Sequence, residues 1–382
     1  MKSLLEKPEL TVSGWHALAG EHLRAQESEA QPLAVARWDW REVRRVLVVR
    51  LRSIGDTVLA TPSLYALRRF LPDVQIDVLL ESWVAPVLEG SELMDNVITV
   101  ERGSTVSRAR VARRLRAERY DVAYNLHGGT TATLLTRSSG AKHRVGYQDY
   151  QYSRLLNHTA PPAAELWGTE KTHSVEQQLA LLGWTGVPVS DRPPTQLAIT
   201  EKAKLSVAER LRAVRVDEAK PLALIHPAAA FDTKQWATRN FARIAEELSA
   251  RGFNCIAIAA PNEKQVISAL IENSQAHIDA FTGLSLPEVT ALAARSRLFV
   301  GNDSGIAHIA AAVGAPSVVI FGSSNVAHWR PWAVAPSEVV REELPCQPCP
   351  GYTCAEFDQP ECIRRVTVER VTAAIEKVIS SQ

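Results

Sequence analysis

Phe299-Val300-Gly301-Asn302-Asp303-Ser304-Gly305-Ile306-Ala307-His308-Ile309-Ala310 reads as a buried strand, a tight polar loop and the first turns of a helix. Gly301, Asn302, Asp303, Ser304 and Gly305 suit unusual backbone angles and helix capping. The free N–H groups at such a helix start form a site for phosphate. Gly314-Ala315-Pro316 ends the helix, and Ser317-Val318-Val319-Ile320-Phe321 reads as the next strand. The whole is one βαβ unit with an anion site at its carboxyl edge. Taken alone it is equally an ordinary crossover that binds nothing.

A second segment breaks that tie. Arg45-Val46-Leu47-Val48-Val49-Arg50-Leu51-Arg52-Ser53-Ile54-Gly55-Asp56 is again strand then loop, followed by a helical pattern from Thr57 to Phe70. Each unit carries an Asp in its turn, and the two lie far apart in the chain. The pattern predicts two nucleotide-fold domains facing each other across a cleft.

The chain has 382 residues, enough for two domains with separate cores. A hydrophobic share of 46% with 22% charged residues is a soluble globular profile. A net charge of +1 argues against a general nucleic-acid binder. No apolar run approaches the ~20 residues that span a bilayer. Met1 to Lys7 lacks the apolar core of a signal peptide, so a cytoplasmic protein is expected. Cys255 sits in an apolar strand and reads as a buried small residue. Cys346, Cys349, Cys354 and Cys362 form a C-x2-C-x4-C-x7-C tail. Four thiolates would close a tetrahedral metal site, but the spacing is not that of a zinc ribbon. Free thiols or a redox-dependent pair are the preferred reading.

Residues 1–40, with Trp15, Trp38 and Trp40, read as an extension packed on the first domain. The first domain is expected over 41–200, with strands near 46–51, 75–80, 97–100 and 121–126 and a short one at 145–147. Pro188, Pro193 and Pro194 and a charged helix over 201–216 mark the interdomain connection. The second domain, over 201–382, has expected strands at 221–226, 254–260, 298–301 and 317–321. Its helices are expected at 239–251, 263–273, 286–295 and 368–379. Continuous apolar strands between helices predict α/β domains whose parallel sheets are covered on both faces.

Four motifs together resemble glycosyltransferase family 9, the bacterial lipopolysaccharide heptosyltransferases. They are Val48 to Asp56 with Thr61-Pro62 and Leu64; His226-Pro227 with Thr233-Lys234 and Trp236; Gly301 through His308; and Phe321-Gly322 with Trp329 and Pro331-Trp332. The resemblance covers roughly residues 44–375 and depends on all four in combination. It implies the GT-B architecture, two Rossmann-like domains with parallel sheets facing a central cleft. It also implies an inverting transferase moving heptose, or a related sugar, from a nucleotide-diphosphate donor such as ADP-heptose to a lipopolysaccharide-core or other lipid-linked acceptor. The alternatives are a nucleotide-sugar epimerase of the same architecture and a catalytically inactive nucleotide-sugar-binding protein. An NAD dehydrogenase is disfavoured, because the first strand leads to Ser53-Ile54-Gly55-Asp56 without the G-x-G-x-x-G fingerprint.

From its neighbours alone, Asp56 is either a helix-capping carboxylate or a base projecting into the cleft. The resemblance implies the catalytic role. Lys234 is either a solvated lysine or a fixed cation for a leaving diphosphate. By resemblance it joins Thr233, Asp303, Ser304, Gly305 and His308 in the donor site, with Asp303 toward the sugar. Glu263, at a strand end, suits ribose or base, and also serves simply as a helix-start carboxylate. Gly322 with Ser323 and Ser324 is a further phosphate-side loop. Here Ala228, Ala230 and Gln235 depart from the family pattern. His127, Lys142 and Arg144 (with His143 and Arg154 nearby) are candidates to meet an anionic acceptor. No cofactor or metal is expected, since Lys234 and a helix N-terminus can serve the diphosphate. Arg102, Arg108, Arg110, Arg113, Arg114, Arg116 and Arg119, with Glu118 the only acid among them, read as one basic helix. It is either an outer scaffold helix or a contact to anionic membrane.

Overall fold

The computed structural model describes residues 30–349 and 352–381. The first domain carries strands β1 (Arg45–Val49), β2 (Gln75–Glu81), β3 (Asn96–Val100), β4 (Val122–Asn125), β5 (His143–Tyr147) and β6 (His158–Ala160). Its helices include α1 (Ile54–Val58), α2 (Thr61–Phe70), α3 (Thr105–Glu118), α4 (Thr130–Ser138) and α5 (Ser174–Gly183). The second domain begins with α6 (Glu201–Ala213), whose Ser206 and Arg210 both bond Glu288 of that domain. It continues with β7 (Leu222–His226), α7 (Thr238–Ala250), β8 (Asn254–Ile258), α8 (Lys264–Glu272), β9 (Ile278–Phe281) and α9 (Leu286–Arg295). Then come β10 (Leu298–Asn302), α10 (Gly305–Ala312), β11 (Ser317–Phe321), β12 (Ser337–Arg341) and the last helix α11 (Val368–Ser380).

The two sheets run β3-β2-β1-β4-β5-β6 and β9-β8-β7-β10-β11-β12, and every strand pairing is parallel. Both therefore have the order that reverses beside the first strand, and ligands sit at that reversal, beyond the carboxyl ends. The unbroken apolar runs follow from burial on both faces. In β1, Val46 and Val48 enter one core while Leu47 and Val49 enter the other. In β10, Phe299 faces one core while Leu298 and Val300 face another. Each such side chain contributes about 1.5–3 kcal/mol on burial.

Three edge strands, β6, β9 and β12, are additional to the sequence expectation. They are short and partly polar, because an edge strand is covered less. The helix expected from Thr57 to Phe70 is two helices. Pro62 lacks the N–H that a continuous helix would use, and it sits at the start of α2 instead. Of the expected N-terminal extension, Trp15 lies outside the described residues. Leu33 and Ala34 donate backbone bonds to Gly183, Trp38 stacks on His143, and Trp40 meets Phe70. The last helix stays on the second domain, where Thr372 and Glu376 bond Glu247 of α7 and Arg251 at its end.

One apolar cluster runs from β1 through α2 and α5 to β7, β10 and α10, joining the domains. Polar bonds lock the same junction. His173 Nδ1 accepts from Val175 N at 3.1 Å, so its proton is on Nε2, which donates to Arg330 O at 2.8 Å. Trp332 Nε1 donates to Pro193 O, and Thr195 Oγ1 donates to Trp332 O.

Helices α1 and α10 meet end to end across the cleft. A Cβ on Gly305 would lie 2.7 Å from Ile54 Cβ and 3.1 Å from Gly55 N. One on Gly55 would lie 2.7 Å from His308 Cδ2. Gly305→Ala is therefore expected to hold the domains apart, cutting turnover about 10- to 100-fold as reacting groups lose alignment. Circular dichroism should remain that of the parent. Turnover within twofold of the parent would show that the junction has slack.

Candidate active site

The larger cavity at the junction, about 550 Å³, is lined by both domains. That is within the usual range for a small-molecule site. Its two ends differ chemically. Ile258, Leu284, Leu286 and Val289 make an apolar end suited to a flat base. Lys234, Asp303, Ser304 and the N-terminus of α10 make a polar end suited to phosphate.

Buried polar side chains hold the loops of this polar end. Asn302 bridges the loops after β7 and β10: its Nδ2 donates to Pro227 O at 2.8 Å, and its Oδ1 accepts from Trp236 N at 3.1 Å. Gln235 Oε1 accepts from Ala229 N, closing the loop where the sequence departs from the family pattern. Lys234 Nζ lies 2.8 Å from Asp303 Oδ2, and Ser324 Oγ donates to the same oxygen. Lysine and aspartate therefore form one unit rather than two separate contacts. Ser304 Oγ is 3.2 Å from His226 Nδ1, and burial holds His226 at about 4, hence neutral at pH 7.

Across the cleft stands Asp56. Its Oδ2 accepts from Ser53 N at 2.9 Å and Ser53 Oγ at 3.2 Å, completing a capping box. Arg50 Nη2 donates to Oδ1, while Arg50 Nη1 is anchored on Leu126 O at 2.7 Å. Burial pushes this carboxyl up, but the Arg50 charge and the Ser53 bonds outweigh it, and the net direction is below the ordinary 3.8. Asp56 is thus anionic, and it also lines a second cavity of about 290 Å³ with Arg50, His127, Tyr150, Gln177 and His328.

Residues 108–358 match the sequence profile of glycosyltransferase family 9 (heptosyltransferase). The chain belongs to that family. It is a glycosyltransferase. Lipopolysaccharide heptosyltransferase 3 of Escherichia coli is 26% identical over 301 residues, covering 74% of this chain and 85% of that protein. A family 9 glycosyl transferase from Veillonella parvula superposes with a TM-score of 0.80 at 21% identity, over 91% of this chain and all (100%) of that one. E. coli ADP-heptose lps heptosyltransferase II does so with a TM-score of 0.71 at 23% identity, over 88% and 99%. These solved structures share the GT-B fold expected from the motifs.

The structure gathers most of the anticipated residues. Asp56, Lys234, Glu263, Asp303, Ser304, Gly305 and His308 all line the larger cavity. Glu263 Oε2 also accepts from Ala260 N at 2.8 Å, so the residue caps its own turn. His308 is buried with Nδ1 unpartnered among the described residues, and its ring faces Gly55. Thr233 and Gly322 stand behind the cavity instead. A Cβ on Gly322 would come within 1.9 Å of Thr233 O, and Ser323 bonds Thr233 through both backbone and hydroxyl. They fix the loops after β7 and β11 to each other rather than line the space between them.

On the acceptor side, His127 lines the second cavity. Asn125 Oδ1 accepts from the N–H groups of His127 and Gly128 and so sets that turn. Burial, then the Arg50 charge, lowers His127 to about 4, so it is neutral at pH 7. Lys142 and Arg144 are a correction to the sequence reading. They flank the first residue of β5, and therefore stand at the amino edge of the sheet, opposite the cleft. There Lys142 faces Glu42, and Arg144 Nη1 donates to Ala141 O. Arg50, Tyr150, Gln177, His226 and His328 were not assigned from sequence. Arg50 and His226 had a signal, since Arg50 stands in the first motif before Asp56 and His226 opens the second.

The cysteine tail packs on the loops after β7 and β11. Cys349 N donates to Ser323 O, Gln347 Nε2 donates to Gly322 O, and Tyr352 contacts Phe231. All five cysteines are free, and burial pushes the Cys255 thiol up to about 12. Cys362 is raised by burial and by the thiols of Cys346, Cys354 and Cys349. Among the described residues, no three His, Cys, Asp or Glu side chains are grouped to hold a metal.

A pH prediction follows from Asp56. Because folding lowers its pKa, the stabilisation involved is complete above pH 3.8 and is lost as pH falls through the folded value. Arg50→Gln removes the largest of the causes that lower Asp56, so the acid limb of the transfer rate should move to higher pH. A pH–rate profile of kcat/KM checks this, and an unmoved acid limb would exclude Arg50 as the cause.

Proposed function

We propose that this glycosyltransferase is an inverting heptosyltransferase, using an ADP-heptose-like donor and a lipopolysaccharide-core or other lipid-linked acceptor. The observation that carries the reading is that Asp56 lines both cavities, one sized for a nucleotide-sugar and one lined by neutral and cationic hydrogen-bonding groups. The names of the E. coli relatives support the heptose and the lipopolysaccharide acceptor.

The base lies against Ile258, Leu284 and Val289, and the diphosphate lies between Lys234 and the N–H groups of Ser304 and Gly305. The acceptor hydroxyl approaches from the first domain, hydrogen-bonded to Asp56. As its oxygen bonds the anomeric carbon, its proton passes to the carboxylate. The bond from that carbon to the diphosphate oxygen breaks, and its electron pair leaves on the nucleoside diphosphate. Asp56 and Lys234 belong to opposite walls, so attack and departure occur on opposite faces of the sugar, which is the geometry of inversion. Lys234 and α10 supply the positive charge at the leaving group, and no metal is needed for that task. No helix among the described residues is long and apolar enough to cross a membrane. The proposed working place is the cytoplasmic face of the inner membrane, where a lipid-linked acceptor is reached by peripheral contact.

Incubation with ADP-heptose and a lipopolysaccharide inner-core acceptor should add one heptose, read by mass, with inverted anomeric configuration by NMR. Conversion of the nucleotide-sugar without acceptor would instead indicate an epimerase. Asp56→Asn should lower transfer about 100-fold or more while retaining nucleoside-diphosphate affinity. Near-parent turnover of this variant would remove Asp56 from the mechanism.

The Lys234–Asp303 pair gives a further test. Lys234→Ala should weaken ADP and intact donor alike. Asp303→Asn should leave ADP bound at least as tightly as in the parent, because the lysine charge is released, yet weaken the intact donor. Calorimetry with both ligands reads the two effects, and parallel losses from both substitutions would sink this division.

A further inference from the structure

Helix α3 buries only a narrow seam, Ser107, Val111 and Leu115, against the first sheet. Arg110, Arg113 and Arg114 project from the rest of its surface, Arg116 lies across Gly140 after α4, and Arg102 and Arg119 flank its ends, all exposed. Among the described residues none of these six has a hydrogen-bonding or ion-pairing side-chain partner. The one acid of the segment, Glu118, is already taken by Arg45 at 2.7 Å. This concentration is local, because the whole chain carries a net charge of only +1. Large apolar side chains stand exposed in the same layer: Val106 on α3 is 68% exposed and Leu134 on the adjoining α4 is 48% exposed.

The position of this layer matters as much as its charge. Helices α3 and α4 share the apolar cluster on the face of the first sheet that is not continuous with the second domain. They are therefore an outer wall. Both start at the carboxyl edge of the sheet, α3 after the edge strand β3 and α4 directly after the turn of His127, which lines the second cavity.

We propose that the α3–α4 face docks on an anionic lipid bilayer and holds the acceptor cavity at the membrane surface. The inference rests on the lipid-linked acceptor of the proposed function and names the surface that meets the lipid. Guanidinium groups would pair with lipid phosphates, while Val106 and Leu134 enter the interfacial region, as in a peripheral amphipathic contact. A nucleic acid would satisfy the charge but leave the exposed aliphatic side chains without a partner.

The test is co-sedimentation of the full chain with vesicles of phosphatidylethanolamine and phosphatidylglycerol, against neutral phosphatidylcholine vesicles. Binding should be confined to the anionic vesicles and should decline as salt rises. The triple variant Arg110→Gln, Arg113→Gln, Arg114→Gln should lose about 100-fold in vesicle affinity, with each cation contributing roughly fivefold. Val106→Ser with Leu134→Ser should weaken binding several-fold more than it changes thermal stability. Both variants should bind ADP, and transfer heptose to a soluble core fragment, as the parent does. Loss of that soluble transfer in the parent would count against the proposed function and not against the docking face. Equal binding to neutral vesicles, no binding to either, full binding by the triple variant, or tighter binding of duplex DNA than of anionic vesicles would overturn the assignment.

Discussion

Two helix N-termini meet almost in contact, and the active site is built around that meeting. Gly55 and Gly305 bring the start of α1 to within van der Waals distance of the start of α10. A single methyl group at either position would fill the space that lets the domains close. Because the two domains share one strand order, each offers the same kind of edge to the other, a reversal point with a polar loop. The resulting cleft places a capped carboxylate on one wall and a lysine with its counter-ion on the other. The apolar cluster through α2, α5 and β10, and the His173 and Trp332 bonds, hold those walls at a set separation.

The electrostatics of the two walls are settled locally. Asp56 is kept anionic by Arg50 and Ser53, at some loss of basicity. The histidines near it are kept neutral by burial, so they offer hydrogen bonds without adding charge beside the carboxylate. A site of this kind suits concerted proton removal as the new bond forms, since a weak base is effective only when the hydroxyl is already becoming acidic.

The architecture was legible in the chain because the interior strands are buried on both faces. Val46–Val49 and Leu298–Val300 are continuous apolar runs, and such runs identify themselves without context. Edge strands such as Ser337–Arg341 carry mixed residues and did not. The loop residues Asp56, Lys234 and Asp303 were legible through their motifs, but their pairing was not. Whether Lys234 stands free or against Asp303 depends on two loops separated by six elements of the fold. Lys142 and Arg144 show the complementary error. Their charge suggested an anionic acceptor, but a basic residue at the start of a parallel strand is carried to the edge away from the cleft. Tyr150, Gln177 and His328 come from three separate segments, and only the closed fold brings them together.

The Lys234–Asp303 pair has a consequence for the end of the catalytic cycle. The lysine is satisfied by a carboxylate held 2.8 Å away and only 5% exposed. Under the proposed function an entering diphosphate must share or displace that partner, and the same partner waits when the product is ready to leave. The site thus contains an intramolecular competitor, present at a fixed effective concentration and indifferent to dilution. Under the proposed function it limits how tightly the spent nucleotide can hold the enzyme. Turnover is thereby protected against accumulation of product, in exchange for a less avid first encounter with donor.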